Sequence, residues 1–273
     1  MRRAGEVKYS WGMSRIFLLL AAAAMAAPAW GWGPTGHQAI ARAAWLHLNP
    51  KAQEEIRKLL EPGETLESIS TWGDEVRPNR RESAPWHYVN VPVWAPRGDW
   101  TPYCPAEGCV VRRVHELAAA LKSPEGDRTQ RAEALKYLVH FLGDMHQPLH
   151  AADRKDRGGN DLPVVFFGRA SNLHSIWDTP IVERLFEREP QLRAQLDERT
   201  PLEQRQEWQR GGIDDWLWET HRASREVAYA NIPEMRPAVL GAEYQAEAEV
   251  IVWKQLRKAG VRLAKLLNET WPE

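Results

Sequence analysis

Five histidines and three aspartates are spaced so that helices must bring them together. The core of the pattern is His140-x3-Asp144-x5-His150, followed by His174-x3-Asp178. Residues four apart share one face of a helix, so each His–Asp pair asks for a helix that turns two ligand-type groups the same way. Pro148 lies between Asp144 and His150. It ends or kinks the first helix and lets His150 face a different neighbour. His37, Asp74 and His87 complete the set. Imidazole and carboxylate are the ligands zinc takes in hydrolytic sites, where one coordination position stays open for water. The pattern therefore points to metal-dependent hydrolysis on a helical scaffold.

The rest of the chain agrees with that scaffold. Val250, Trp253, Leu256, Gly260, Leu263 and Leu267 recur at intervals of three and four, which predicts a long C-terminal helix. Leu135, Leu138, Val139 and Leu142 form an apolar stripe beside His140 and Asp144, as on a core helix that also lines a site. Further helices are predicted over 36–48, 52–60 and 110–121. Strand signals are short: 86–93 and 163–167 read as extended or as a small hairpin. No repeat, low-complexity tract or linker divides the chain. The expectation is one mainly α domain over 32–273 with its metals held between helices and loops.

The first 31 residues read as a cleaved signal peptide. Arg2, Arg3, Lys8 and Arg15 precede the apolar run 16–27, and Ala29-Trp30-Gly31 offers the small residues that a signal peptidase reads. The run is too short to span a membrane. A start at Met13 would give a more ordinary signal. Cleavage after Gly31 would remove four basic residues and one acid, leaving 32 basic and 36 acidic side chains among 242 residues. Such a chain has no basic excess to neutralise phosphates, so an anionic substrate would rely on metal ions for positive charge. Cys104 and Cys109 would close a small loop as a disulfide in an oxidising compartment, or remain two free thiols. Short leader and sparse cysteines together point to a secreted or periplasmic bacterial protein with no membrane attachment after cleavage.

Other candidates cluster in short stretches. Trp32-Gly-Pro-Thr-Gly-His37 would stand at the new N-terminus. A free α-amino group has a pKa near ~7.7–8 and can serve as a neutral nitrogen ligand, so cleavage would create a ligand that the precursor lacks. Thr71 to Arg77 offers Asp74 with Arg77 about one turn on, and Trp86 to Asn90 offers His87. His47, His115, His146 and His221 have no such context and read as ordinary surface or core residues.

Taken in order, 32–37, 72–77, 86–90, 140–150, 158–161 and 172–178 resemble the motifs of the S1/P1-type nucleases, secreted trinuclear zinc enzymes related in fold to the bacterial zinc phospholipases C. The last helix, over 240–268, also resembles theirs. The resemblance implies a single-domain helical phospholipase C/nuclease-like fold and three Zn2+ per chain. Asp74, His87, His140 and Asp144 would hold one zinc. The Trp32 amino and carbonyl groups, His37 and Asp144 would hold the second. His150, His174 and Asp178 would hold the third. It further implies hydrolysis of single-stranded RNA and DNA to 5′-phosphate products and dephosphorylation of 3′-nucleotides, with no stable protein partner. Asp74 would orient the attacking water and Arg77 would stabilise charge on the phosphate. Tyr88, Asn90 and Asn160 would contact substrate, and Cys104–Cys109 resembles one of the family's bridges. Two departures stand out. Asn90 replaces an acidic residue that fungal members use in base recognition, and Asp178 replaces the Glu of the phospholipases. The alternatives are a zinc phospholipase C, acting on a lipid phosphodiester, and a periplasmic zinc-binding protein without catalysis.

Overall fold

A computed structural model describes residues 31–123 and 125–273. The leader expected over 1–31, apart from Gly31, lies outside the described residues. Eleven α-helices dominate the described chain, and three short strands form its sheet. The first half contains α1 (Pro34–His47), α2 (Pro50–Leu59), α3 (Trp72–Val76), α4 (Val110–Lys122) and α5 (Arg128–Met145). Then come the strands β1 (Pro163–Phe166) and β2 (Arg169–Asn172) and the helices α6 (Leu173–Asp178) and α7 (Pro180–Arg188). The last part holds α8 (Pro190–Leu196), α9 (Leu202–Trp208), α10 (Ile213–Ala223), β3 (Ala238–Leu240) and α11 (Ala242–Thr270).

Local chemistry fixes the helix that matters most. Asp127 caps α5 by accepting from the Gln130 amide, and Gln130 answers by accepting from the Asp127 amide. Such a capping box satisfies two donors that the first turn would leave open. From there α5 runs through the centre, and Leu135, Leu138, Phe141 and Leu142 are fully buried. Burying a side chain of this kind stabilises the fold by about 1.5–3 kcal/mol each. The helix stops at Met145, and a 3-10 turn over Pro148–His150 follows, as Pro148 requires. The long α11 packs along α1, and Asn49 stitches the start of α2 to the end of α11. Its side chain caps α2 and donates to the Trp271 carbonyl, while its amide donates to Asn268.

Three expectations need correction. Residues 86–93 do not form a ladder strand: Trp86 and His87 end a 3-10 helix over Arg81–His87, and among the described residues only Pro92 pairs, as an isolated bridge to Asp153. The expected hairpin is real (β1 against β2, Val164 opposite Ser171), but β3 joins it in parallel and makes a three-stranded sheet. Val250 does not belong to the buried stripe of α11. It is 64% exposed, and the buried face instead runs through Gln245, Ala248, Val252, Gln255 and Leu256.

Candidate metal centre

The eight candidate ligands arrive on six elements. His37 comes from the first turn of α1, Asp74 from α3, His87 from the end of the 3-10 helix, and His140 and Asp144 from the last turns of α5. His150 ends the next 3-10 turn. His174 and Asp178 lie on α6, whose start is capped by Asn172 accepting from the Ser175 amide at 2.7 Å. All eight residues are buried, none more than 5% exposed.

The separations suit a small cation. His87 Nδ1 lies 2.9 Å from Asp144 Oδ2, 3.2 Å from His140 Nε2 and 3.6 Å from Asp74 Oδ1. His140 Nε2 lies 3.2 Å from Asp144 Oδ2 and 3.6 Å from Asp74 Oδ1. Four ligands at 2.0–2.2 Å around a tetrahedral zinc stand roughly 3.3–3.5 Å apart, and these contacts bracket that spacing. The other oxygen of Asp144 turns elsewhere, 3.3 Å from His37 Nε2. His37, Asp74 and His140 also gather within 4.8 Å of one another, so the two groups adjoin. In a third group, His174 Nε2 is 3.1 Å from His150 Nε2 and 3.6 Å from Asp178 Oδ2.

Backbone carbonyls orient three of the rings. His140 Nδ1 donates to Ser70 O at 2.8 Å, His150 Nδ1 to His87 O at 2.7 Å and His174 Nδ1 to Gly158 O at 2.7 Å. A carbonyl can only accept, so the proton sits on Nδ1 and the Nε2 lone pair faces the group. Gln147 adds a clamp that its side chain alone could not announce: its Nε2 donates to Asp178 Oδ1 at 2.6 Å.

Electrostatics keep four of the five rings neutral. Burial lowers the pKa of His37 and His150, takes His87 to about 4 and takes His174 to about 3. These rings are neutral near pH 7, as metal ligands must be. Burial also opposes charge on His140, but Asp144 and Asp74 outweigh it and raise its pKa well above the ordinary value. Burial would raise Asp144, yet His140, His37 and His87 hold it well below the usual carboxylate range. Burial pushes Asp178 well above that range. Asp74 Oδ1, Asp144 Oδ1 and His37 Nε2 face one another, buried and with no hydrogen-bond partner in the protein. One such group costs about 1–3 kcal/mol; several in one place call for a cation, and this donor set of imidazoles and carboxylates fits zinc.

Gly31 and Gly73 show how tightly the centre is enclosed. A Cβ on Gly31 would lie 1.6 Å from Asp144 Oδ1 and 3.1 Å from His37 Nε2, so the chain preceding Trp32 crosses the space beside these two groups. A Cβ on Gly73 would lie 2.6 Å from Cδ2 of His140.

The remaining candidates divide. Trp32 is fully buried beside the centre. Arg77 sits one turn beyond Asp74, and its charge acts on His150, His174 and Asp178. Tyr88 is partly exposed and Asn90 exposed, both next to His87 in the chain. Asn160 is occupied locally, donating to the Arg157 carbonyl at 2.8 Å. Cys104 and Cys109 form a disulfide. His47, His115, His146 and His221 stay outside the three groups, each with a partner of its own.

Comparison with known proteins gives the geometry a context. A family model described as S1/P1 nuclease matches residues 32–271. The chain is 31% identical to endonuclease 2 of Arabidopsis thaliana over 265 residues, covering 87% of this chain and 90% of that protein. It is 31% identical to nuclease S1 of Aspergillus oryzae over 180 residues, covering 63% of this chain and 62% of that protein. It is 33% identical to nuclease P1 of Penicillium citrinum over 161 residues, covering 56% of this chain and 59% of that protein.

Proposed function

The chain belongs to the S1/P1 nuclease family and is a nuclease, and from that premise we propose that it cleaves single-stranded RNA and DNA to 5′-phosphate products and dephosphorylates 3′-nucleotides. It would do so as a secreted or periplasmic single-domain enzyme over 32–273, holding three Zn2+. The proposed division follows the resemblance; it keeps the group of His150, His174 and Asp178 intact and assigns His37, which gathers with Asp74 and His140, to the side of Asp144. Asp74, His87, His140 and Asp144 hold one ion; His37, Asp144 and the freed Trp32 main chain hold the second; His150, His174 and Asp178 hold the third. When bound, the ions supply Lewis-acid charge that acidifies water and draws electrons from a phosphate. The observation that carries the reading is Asp144, whose two oxygens address His87 and His140 on one side and His37 on the other.

The chain's own groups would do the rest. Asp74 accepts the proton of the attacking water and aligns it for in-line displacement. Arg77, one turn away, neutralises charge building on the equatorial phosphate oxygens. The buried imidazoles exclude bulk water and hold the centre rigid. Tyr88 presents its partly exposed ring beside His87 and stacks an unpaired base, with Asn90 and Asn160 at the rim. A paired base cannot leave its stack to reach such a ring, hence the single-strand preference.

The test uses protein that begins at Trp32, incubated with single-stranded RNA, single-stranded DNA and duplex DNA, with and without chelator, while bound zinc is counted. Three zincs per chain and chelator-sensitive cleavage favouring single strands are expected. Duplex preference, or cleavage indifferent to chelation, refutes the reading.

A further inference from the structure

Beyond the metal centre, the chain from His87 runs alongside the segment after His150. The Val89 amide donates to His150 O at 2.8 Å, the Asp153 amide to Val91 O at 2.8 Å and the Val93 amide to Asp153 O at 2.9 Å. This rigid run delivers Trp94 to the surface, where it is 58% exposed. Lys155 Nζ sits 5.6 Å over its ring. The next residue, Ala95, lines a surface cavity of about 540 Å3 together with Arg97, Arg210, Arg222, Arg225 and Trp218. His221 Nε2, hydrogen-bonded to Pro92 O at 2.9 Å, fastens the cavity wall to the same run.

The charge of this cavity is not that of the chain. The whole sequence balances 36 basic against 37 acidic side chains, whereas the cavity lining holds five arginines against two carboxylates. Arg97 is paired with Asp215, and Arg262 with Glu219. Arg210 and Arg222, both exposed, have no side-chain partner among the described residues. An exposed indole with a lysine over its ring, next in the chain to a cavity with unpaired guanidinium groups, has the composition of a single-strand site. A base stacks on the ring whatever its identity, and arginines meet the phosphates.

Resting on the nuclease reading above, we propose that Trp94 and the arginine-lined cavity form a binding path for single-stranded nucleic acid outside the metal centre. Trp94 stacks a base remote from the scissile phosphate, and Arg210 and Arg222 hold phosphates of the same strand. None of these three residues belongs to the ligand groups or lies within four residues of a ligand in the chain, so the path serves polymeric substrates.

The experiment compares wild type, Trp94→Ala, Trp94→Tyr and the double variant Arg210→Ala/Arg222→Ala on a 3′-mononucleotide and on oligodeoxythymidylate of about 12 nucleotides. The ratio of the two kcat/KM values, oligonucleotide over mononucleotide, is the readout. It should fall roughly 5- to 100-fold in Trp94→Ala, through the oligonucleotide KM, and recover in Trp94→Tyr. In the double variant, the slope of log KM for the oligonucleotide against log salt should drop by about 1.4, the loss of two phosphate contacts on a single strand. An unchanged ratio and slope with an active wild type overturn the path alone. A wild type inactive on both substrates overturns the nuclease reading and the path with it.

Discussion

Replacing Gly73 by alanine adds one methyl group to a residue that binds nothing, and it should disable the centre. The new Cβ would stand 2.6 Å from Cδ2 and 2.7 Å from Cγ of His140. Carbon atoms rest about 3.5–4.0 Å apart, so something must move by roughly 1 Å. His140 has nowhere to go. Its ring stacks on His37 with centroids 4.1 Å apart, and Ser70 O holds its Nδ1 at 2.8 Å. The alternative is to displace α3, five residues long, and with it Asp74. Either way a proposed ligand shifts by several times the ~0.2 Å that a metal site tolerates. Zinc affinity should fall at least 10- to 100-fold, the scale seen when support of a ligand is lost. Overpacking adds about 1–3 kcal/mol of destabilisation, or roughly 2–12 °C in Tm for a chain of this size. The assay is zinc content by mass spectrometry at fixed free zinc, with kcat/KM on single-stranded DNA and Tm. Gly241→Ala is the control, since a Cβ there meets nothing within 4 Å. A Gly73→Ala protein with wild-type zinc content and activity within twofold of wild type would refute the argument.

Three further outcomes follow from the same structure. Glu219 is pulled towards ionisation by Arg262 and Lys258 despite its burial, and its carboxyl is held down at about 2 from an ordinary 4.5. A depressed pKa contributes stability above pH 4.5 that is lost as pH falls towards 2. The full shift is worth about 3 kcal/mol, and with a quarter of the side chain exposed screening leaves about 2. Acid unfolding of chelated wild type and Glu219→Gln should therefore converge at low pH, and parallel curves would contradict this. Retaining Gly31 ahead of Trp32 should reduce bound zinc to at most two ions per chain, because that residue fills the space beside Asp144 Oδ1; three ions in the extended protein would contradict it. Gln147→Leu should cost Asp178 its 2.6 Å donor and weaken the zinc proposed at His150, His174 and Asp178 10- to 100-fold, and equal zinc titrations of variant and wild type would show that the amide is idle.

The site was more legible in the sequence than the fold around it. His140, Asp144, His174 and Asp178 announced themselves because a four-residue spacing is a statement about helix geometry, and Pro148 marked where α5 had to stop. The supports left no such trace. Ser70 and Gly158 act through carbonyls that every residue owns, and Gly73 matters only through the ring it lies against. The helices between 180 and 208 are short and set off by Pro180, Pro190 and Pro201; α8 and α9, seven residues each, are too short to show a period, whereas α7 carries one in Ile181, Val182, Leu185 and Phe186. Val250 was misplaced because the buried face of α11 includes two glutamines. Gln255 donates to His146 O and Thr220 Oγ1, and Gln245 to Ile181 O. A reading by hydrophobicity alone passes over such residues for the nearest valine.

The divided carboxylate of Asp144 has a consequence for anyone preparing this protein. Under the proposed assignment one side chain is a ligand to two ions, so those two positions cannot be filled or emptied as strangers to each other. The group around His150, His174 and Asp178 has its own carboxylate and is free of that tie. A partly stripped sample is then a mixture of molecules rather than a uniformly weakened enzyme. Its turnover will follow the fraction of chains in which both oxygens of Asp144 are engaged, and will fall away faster than the average zinc content.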